Sequence, residues 1–118
     1  MSPELPAYRR KRREAPLAFF RGFLRAVWRD NTEAEALEQW RQKVELFPDY
    51  AEDALYCMQQ VLASPPPDLA EILSDEGWLP LYHDRGDEIA DYSFEETVEF
   101  VQAMHARLEA IYAERAGS

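Results

Sequence analysis

The sequence predicts an all-α fold: a compact single-domain bundle of four to five helices with an acidic structured loop before the last helix. The 118 residues include only four Gly but many Ala, Leu, Glu and Arg, which are strong helix formers. Apolar residues recur at three-to-four spacing through most of the chain, as in helices that bury one face. This length supports one modest core and no second domain.

The predicted elements begin and end at local signals. Residues 1–15 combine two prolines with a basic cluster and are predicted to be a flexible tail, so the helical domain covers residues 16–118. Pro16 suits the first turn of a helix that carries arginines at every fourth position. These arginines are Arg21, Arg25 and Arg29. Their spacing predicts a positive stripe along one helix face.

Four more helices follow. The second starts at the capping-box pair Thr32 and Glu35 and ends before Pro48, and the last starts at a second such pair, Ser93 and Glu96. The third and fourth are predicted to be capped by Asp49 and Asp68, with Gly77 ending the fourth. The predicted inward residues are Phe20, Phe23 or Leu24, Val27, Trp28, Leu37, Trp40, Val44, Phe47, Leu55, Met58, Val61, Leu62, Phe94, Val98, Val101, Met104 or His105, Leu108 and Ile111.

The net charge of −10 is distributed unevenly. Residues 1–29 hold eight basic and two acidic groups, a net of +6, whereas residues 30–118 hold five basic and 21 acidic groups, a net of −16. A charge of −16 on residues 30–118 repels nucleic acid, even though five consecutive basic residues run from Arg9 to Arg13. It suits a basic protein partner. No stretch is long and apolar enough for a membrane span or signal peptide. We therefore expect a cytoplasmic protein with no membrane partner and no direct nucleic-acid partner.

The chemistry-bearing residues do not form a known catalytic or metal-binding motif. Cys57 is the only cysteine, which excludes an intrachain disulfide and favours a small core side chain. His83 and His105 lack zinc-site spacing. An EF-hand loop starting at Asp84 would place Gly86 and Ile89 where an acid and a glycine are needed. We predict no catalytic residues, no metal and no cofactor, and hence no enzyme.

The stretch "HDRGDEIADYSFEE" carries six carboxylates. Two of them lie in the first turn of the last helix, where the helix dipole favours negative charge, and Asp84 and Asp87 flank a glycine turn. Glu88 and Asp91 have no such structural task. Large aromatics beside unpaired acids are typical of a binding surface, because aromatics anchor interfaces and charge speeds encounter. The predicted partner-binding residues are Asp75, Glu76, Trp78, Tyr82, Asp84, Asp87, Glu88 and Asp91.

Two alternatives remain open at this point. Trp78 could close the core over the helix ends instead of anchoring a partner. Acids on the outer face of the second helix, Glu33, Glu38 and Glu45, could form the binding surface in place of the loop.

The order of elements resembles a known family. An aromatic first helix, "FFRGFLRAVWRDN", precedes a helix rich in Glu and Ala, a middle helical pair with "LAEILSDEGW", an acidic loop and a long final helix. This order, over roughly residues 17–112, resembles the small helical immunity proteins of bacterial contact-dependent growth inhibition systems. The resemblance implies a bacterial cytoplasmic protein, monomeric or weakly dimeric, that binds the C-terminal domain of a cognate toxin, frequently a nuclease, and neutralises it.

Other functions are compatible with the same residues. An adaptor or regulatory subunit could dimerise through the arginine stripe, and a nucleic-acid binder would use the basic tail. Both differ from an immunity protein, whose gene lies directly downstream of a large toxin gene.

Overall fold

The architecture is all-α, as predicted, in a computed structural model that describes residues 5–84 and 86–116. Six α-helices and one π-helical turn occur in these ranges, with a single two-stranded sheet. The helices are α1 (Ala7–Glu14), α2 (Pro16–Phe23), α3 (Glu33–Leu46), α4 (Pro48–Ala63), α5 (Leu69–Gly77) and α6 (Phe94–Ala116), and the strands are β1 (Tyr82–Asp84) and β2 (Ile89–Asp91). The π-helical turn, Leu24–Trp28, continues α2.

Trp40 lies at the centre of the core and joins two helices. Its side chain is fully buried, and its indole N–H donates to the backbone carbonyl of Leu108 at 3.0 Å, which ties α3 to α6. The ring of Phe23 meets it edge-on at 5.7 Å. Both aromatics come from the three-to-four spacing that predicted inward faces, so those predictions are confirmed.

The first helix differs from its prediction. Residues 7–14 of the predicted flexible tail form α1, and Arg9 on this helix is buried. So highly charged a segment can pack because its arginines have a buried acid to bind, as described below. Residues 1–4 of that predicted tail lie outside the described residues, as do residues 117–118 of the predicted helical domain.

The capping predictions divide into two groups. Both capping boxes are confirmed: Thr32 and Glu35 exchange hydrogen bonds at the start of α3, and Ser93 and Glu96 do so at the start of α6. Asp68 precedes the first residue of α5, as predicted, but its side chain makes no capping hydrogen bond. The prediction for Asp49 is wrong, because α4 begins at Pro48 and Asp49 lies inside its first turn.

Two residues predicted to face inward are exposed. Phe47 is 56% exposed because it lies at the corner between α3 and α4, after the last helical residue of α3. Phe94 is 43% exposed because it opens α6 beside the hairpin, before that helix reaches the core. Helical spacing indicates which face is apolar but not where along the helix the core ends.

The acidic loop contains a β-hairpin. Strands β1 and β2 pair antiparallel, with Tyr82 opposite Asp91 and Asp84 opposite Ile89. The backbone N–H of Tyr92 donates to the carbonyl of Leu81, which is buried, so the base of the hairpin is fixed to the bundle. The four residues between the strands include Arg85, which is outside the described part of the chain.

Candidate protein-binding surface

Two buried carboxylates each lie among three arginines of the N-terminal segment. The first is Asp53 on α4, which is fully buried. Arg9 donates to its carboxylate from Nε and Nη2 at 3.0–3.2 Å. Arg12 donates at 3.1 Å and Arg13 at 2.8 Å. Burial favours a higher pKa for Asp53, but the hydrogen bonds from these arginines outweigh it and hold the pKa below its ordinary value.

The second buried carboxylate is Glu76 near the end of α5. Arg21 donates to its Oε1 at 2.9 Å, and Arg25 donates to its Oε2 at 2.8 Å. Arg29 donates to the backbone carbonyls of Glu76 and Asp75. The hydrogen bond from Arg21 is the largest cause of a lowered pKa at Glu76. The arginine stripe therefore fixes α5 against α2 and the π-helical turn.

Glu76, one of the predicted partner-binding residues, is held inside the fold in this structure. Its side chain is 8% exposed and its carboxylate is occupied by arginines, whereas a contact residue must be accessible. The neighbouring Asp75 differs, because its side chain is exposed and only its backbone carbonyl contacts Arg29.

The hairpin presents the other predicted acids to solvent. Asp84, Asp87, Glu88 and Asp91 are all exposed. Asp84 accepts a hydrogen bond from the backbone N–H of Gly86 at 3.1 Å, an ordinary turn contact. Within residues 5–84 and 86–116, none of the four forms an ion pair. Among the described residues, the hairpin therefore carries four exposed acids that no basic side chain pairs with.

The acids on the outer face of α3 are in a different state. Glu33 pairs with Arg107, Glu38 with Arg41 at 3.6 Å, and Glu45 with Arg115 at 2.6 Å. Exposed pairs of this kind contribute little to stability, but each cancels a charge that a basic partner would meet. The hairpin is thus the stronger candidate of the two acidic surfaces.

Three large apolar side chains accompany the hairpin acids. Tyr82 is 46% exposed and Trp78 is 56% exposed. Ile89, which was not among the predicted partner-binding residues, is 70% exposed in β2. The signal for Ile89 was an isolated aliphatic residue inside an acidic run. We name Trp78, Tyr82, Asp84, Asp87, Glu88, Ile89 and Asp91 the hairpin surface.

Trp78 has an unusual backbone conformation, and Arg29 stacks on its ring. It follows the last residue of α5 with φ of 54°, in the left-handed region where glycine is usual. This conformation costs an L-residue about 1–2 kcal/mol. The guanidinium of Arg29 lies 5.0 Å from the centre of the indole ring and holds it in place. Trp78 therefore does not simply close the core, because over half of its side chain remains exposed.

His83 and Glu96 connect the hairpin to α6. The imidazole Nε2 of His83 contacts a carboxylate oxygen of Glu96, and its ring lies 4.8 Å from that of Tyr92. The pKa of Glu96 is lowered, first by the backbone hydrogen bond from Ser93 and then by His83. This pair orients the hairpin against α6, and the other carboxylate oxygen of Glu96 accepts a hydrogen bond from the backbone N–H of Ser93.

The remaining candidates for chemistry have structural surroundings. Cys57 is buried, and burial raises the pKa of its thiol to about 11, so the reactive thiolate is scarce at neutral pH. Throughout the described residues, no three His, Cys, Asp or Glu side chains are grouped so as to hold a metal ion. No helix in those residues has the length and apolar character needed to cross a membrane.

Comparison with protein-family models, curated proteins and solved structures found no match to this chain. Its function is therefore inferred from its own geometry and charge.

Proposed function

We propose that this chain is a non-enzymatic inhibitor: an immunity protein of a bacterial contact-dependent growth inhibition system. Its partner is the C-terminal domain of a cognate toxin, a basic domain of nuclease type. Binding covers the cleft through which the toxin admits its substrate. The protein acts in the bacterial cytoplasm, as a monomer or weak homodimer, without metal or cofactor.

The observation that carries this proposal is the hairpin surface. Four exposed carboxylates lie on one short hairpin with no ion pairs among the described residues, next to Tyr82 and Ile89. Nucleases bind a polyanion and so need a basic cleft. An acidic projection flanked by apolar anchors has the complementary charge and the composition of an interface centre.

The internal arginine clusters support the same reading. Six of the eight basic residues in positions 1–29 contact Asp53 or Glu76, so these arginines hold α1 against α4, and hold α2 and the π-helical turn against α5. Asp49, Glu52 and Asp53 balance the three arginines of α1 that they contact, which weakens the nucleic-acid binder through residues 1–15. The arginine stripe binds Glu76 of the same chain, which weakens a homodimer through that stripe.

The proposed mechanism is electrostatic steering followed by occlusion. Opposite charge raises the association rate at low salt, and this advantage falls as salt screens the charges. Once docked, the exposed aromatic side chains of the hairpin surface exclude water and slow dissociation. The hairpin acids thus occupy the place of substrate phosphates without being cleaved.

The test is co-expression with the toxin C-terminal domain encoded directly upstream, followed by size-exclusion chromatography at low and high salt. We expect a 1:1 complex with the wild-type chain that weakens as salt rises. The double variant Asp87→Lys/Glu88→Lys should lower affinity at least about 100-fold, because like charges then face each other. A matched control, Glu109→Lys/Glu114→Lys, makes the same charge change on the distant half of α6 and should leave affinity nearly unchanged.

Three results would count against the proposal. Absence of a complex between two folded wild-type proteins would favour an adaptor in another bacterial assembly. Equal loss of binding in both double variants would show that net charge matters and the hairpin does not. Unfolding of the hairpin variant, detected by circular dichroism, would show that the acids are structural.

A further inference from the structure

A cleft of about 620 Å³ lies next to the hairpin surface. It is formed by the end of the π-helical turn, the start of α3, the connection from α5 to β1 and the middle of α6. Its apolar wall consists of Trp28, Trp78, Leu79, Phe100, Ala103 and Met104. The volume falls within the usual range for binding pockets. We name it the Trp78 cleft.

One wall of the cleft offers an unused hydrogen-bond donor. Trp28 is only 7% exposed, yet its indole N–H donates to no other described residue. Among the described residues, every fully buried side-chain nitrogen or oxygen has a hydrogen-bond partner. Because the Trp28 N–H has none, it is not fully buried and is accessible to solvent. Since Trp28 lines the cleft, its donor is available to a group that enters there. Trp40 differs, because its N–H is already bonded to Leu108.

The cleft shares Trp78 with the hairpin surface. Trp78 forms part of the cleft wall, Pro80 is another lining residue, and Tyr82 begins β1 two residues later. All three residues are exposed. The guanidinium of Arg29 stacks on the shared indole ring, 5.0 Å from its centre.

We propose that the Trp78 cleft receives a tyrosine side chain of the toxin domain, carried on a basic segment. Two indoles, a phenyl ring and the Met104 thioether suit an aromatic ring. The phenol oxygen accepts the hydrogen bond that Trp28 offers. Lysines and arginines flanking that tyrosine meet Asp84, Asp87, Glu88 and Asp91. This inference rests on the proposed function and names the anchor within the same interface.

The first experiment uses the isolated chain labelled with ¹⁵N and the probe N-acetyltyrosinamide. The three tryptophans, Trp28, Trp40 and Trp78, give three indole N–H signals in a ¹H–¹⁵N spectrum. We expect the probe to shift the signals of Trp28 and Trp78 and to leave that of Trp40 in place. N-acetylphenylalaninamide, which lacks the hydroxyl, should move the Trp28 signal less.

The matched variants are Ala103→Phe, which fills the cleft, and Ala106→Phe, which adds the same ring at a residue of α6 that does not line the cleft. Both alanines are exposed, so neither change disturbs the core, and thermal melts verify this. Ala103→Phe should abolish the shifts and weaken the toxin complex at least tenfold, whereas Ala106→Phe should do neither. No shift in the wild type, equal shifts of all three tryptophans, or shifts that persist in Ala103→Phe would overturn the cleft as a site.

The toxin experiment separates this inference from the proposed function. A wild-type complex that Ala103→Phe leaves intact would overturn the cleft inference while the immunity function stands. Probe binding with no wild-type complex would overturn the toxin as occupant, and the proposed function with it. A complex lost in Ala103→Phe and kept in Ala106→Phe supports both.

Discussion

The substitution Asp53→Asn tests whether α1 is part of the folded domain. The change keeps the shape of the side chain but removes its charge and places an amide N–H₂ among arginine donors. Asp53 is fully buried, and the side chain of Arg9 is 8% exposed, so that guanidinium would lose its main counter-charge inside the protein. Breaking a buried ion pair from one side costs about 3–5 kcal/mol. A domain of this kind has a total stability of about 5–15 kcal/mol, so the loss is large.

Urea denaturation followed by circular dichroism measures this loss. With a slope of about 2 kcal/mol per molar urea, the midpoint should fall by about 1.5–2.5 M. The control is Asp49→Asn, since Asp49 also faces Arg9, at 3.5 Å, but its side chain is 59% exposed. That variant should lose no more than about 1 kcal/mol. If Asp53→Asn is as mild as Asp49→Asn, α1 does not dock through Asp53 and the flexible-tail prediction is correct after all.

Three further predictions follow from the buried charges and the strained tryptophan. The pKa values of Asp53 and Glu76 in the folded protein lie below their ordinary values of 3.8 and 4.5, so their stabilisation is complete above those values and is lost as pH falls through the folded pKa. The urea midpoint should therefore fall as the pH is lowered below about 4, and it should fall less steeply with pH in Asp53→Asn. An identical pH dependence in the wild type and in Asp53→Asn would contradict this. Cys57 should resist a thiol reagent at pH 8 in the folded protein and react within minutes in urea, and rapid reaction without urea would show that its burial is wrong. Trp78→Gly should change the stability measured in urea by less than about 1 kcal/mol, because relief of the left-handed backbone strain offsets the lost stacking with Arg29. The same variant should weaken the toxin complex at least tenfold. A severe loss of stability would instead make Trp78 a core residue.

Features set by short-range chemistry could be predicted from the sequence. The capping boxes at Thr32 and Ser93 depend on residues three apart, and the buried face containing Trp40 depends on helical spacing. The exposed acids of the hairpin were also predicted, because a dense acidic run near Gly86 cannot be buried.

Features that depend on contacts between residues far apart in the chain could not be predicted from the sequence. The α1 segment folds onto α4 because its arginines meet acids and a tyrosine ring of that helix, above all Asp53, which lies 44 positions after Arg9. Nothing in the local sequence shows that Glu76 is buried and that the neighbouring acid, Asp75, is exposed. It is buried because the arginine stripe, about 50 residues earlier, lies against the end of α5. The Trp78 cleft likewise exists only where residues 28–33, 78–80 and 100–107 meet.

The most direct test of the central claim is growth protection by the hairpin surface. Cells that express the toxin domain encoded directly upstream would carry the wild-type chain, Asp87→Lys/Glu88→Lys or Glu109→Lys/Glu114→Lys at equal protein levels. We expect the wild type and the α6 control to restore growth and the hairpin variant to fail. Full protection by a folded hairpin variant would show that inhibition does not depend on the acids of the hairpin.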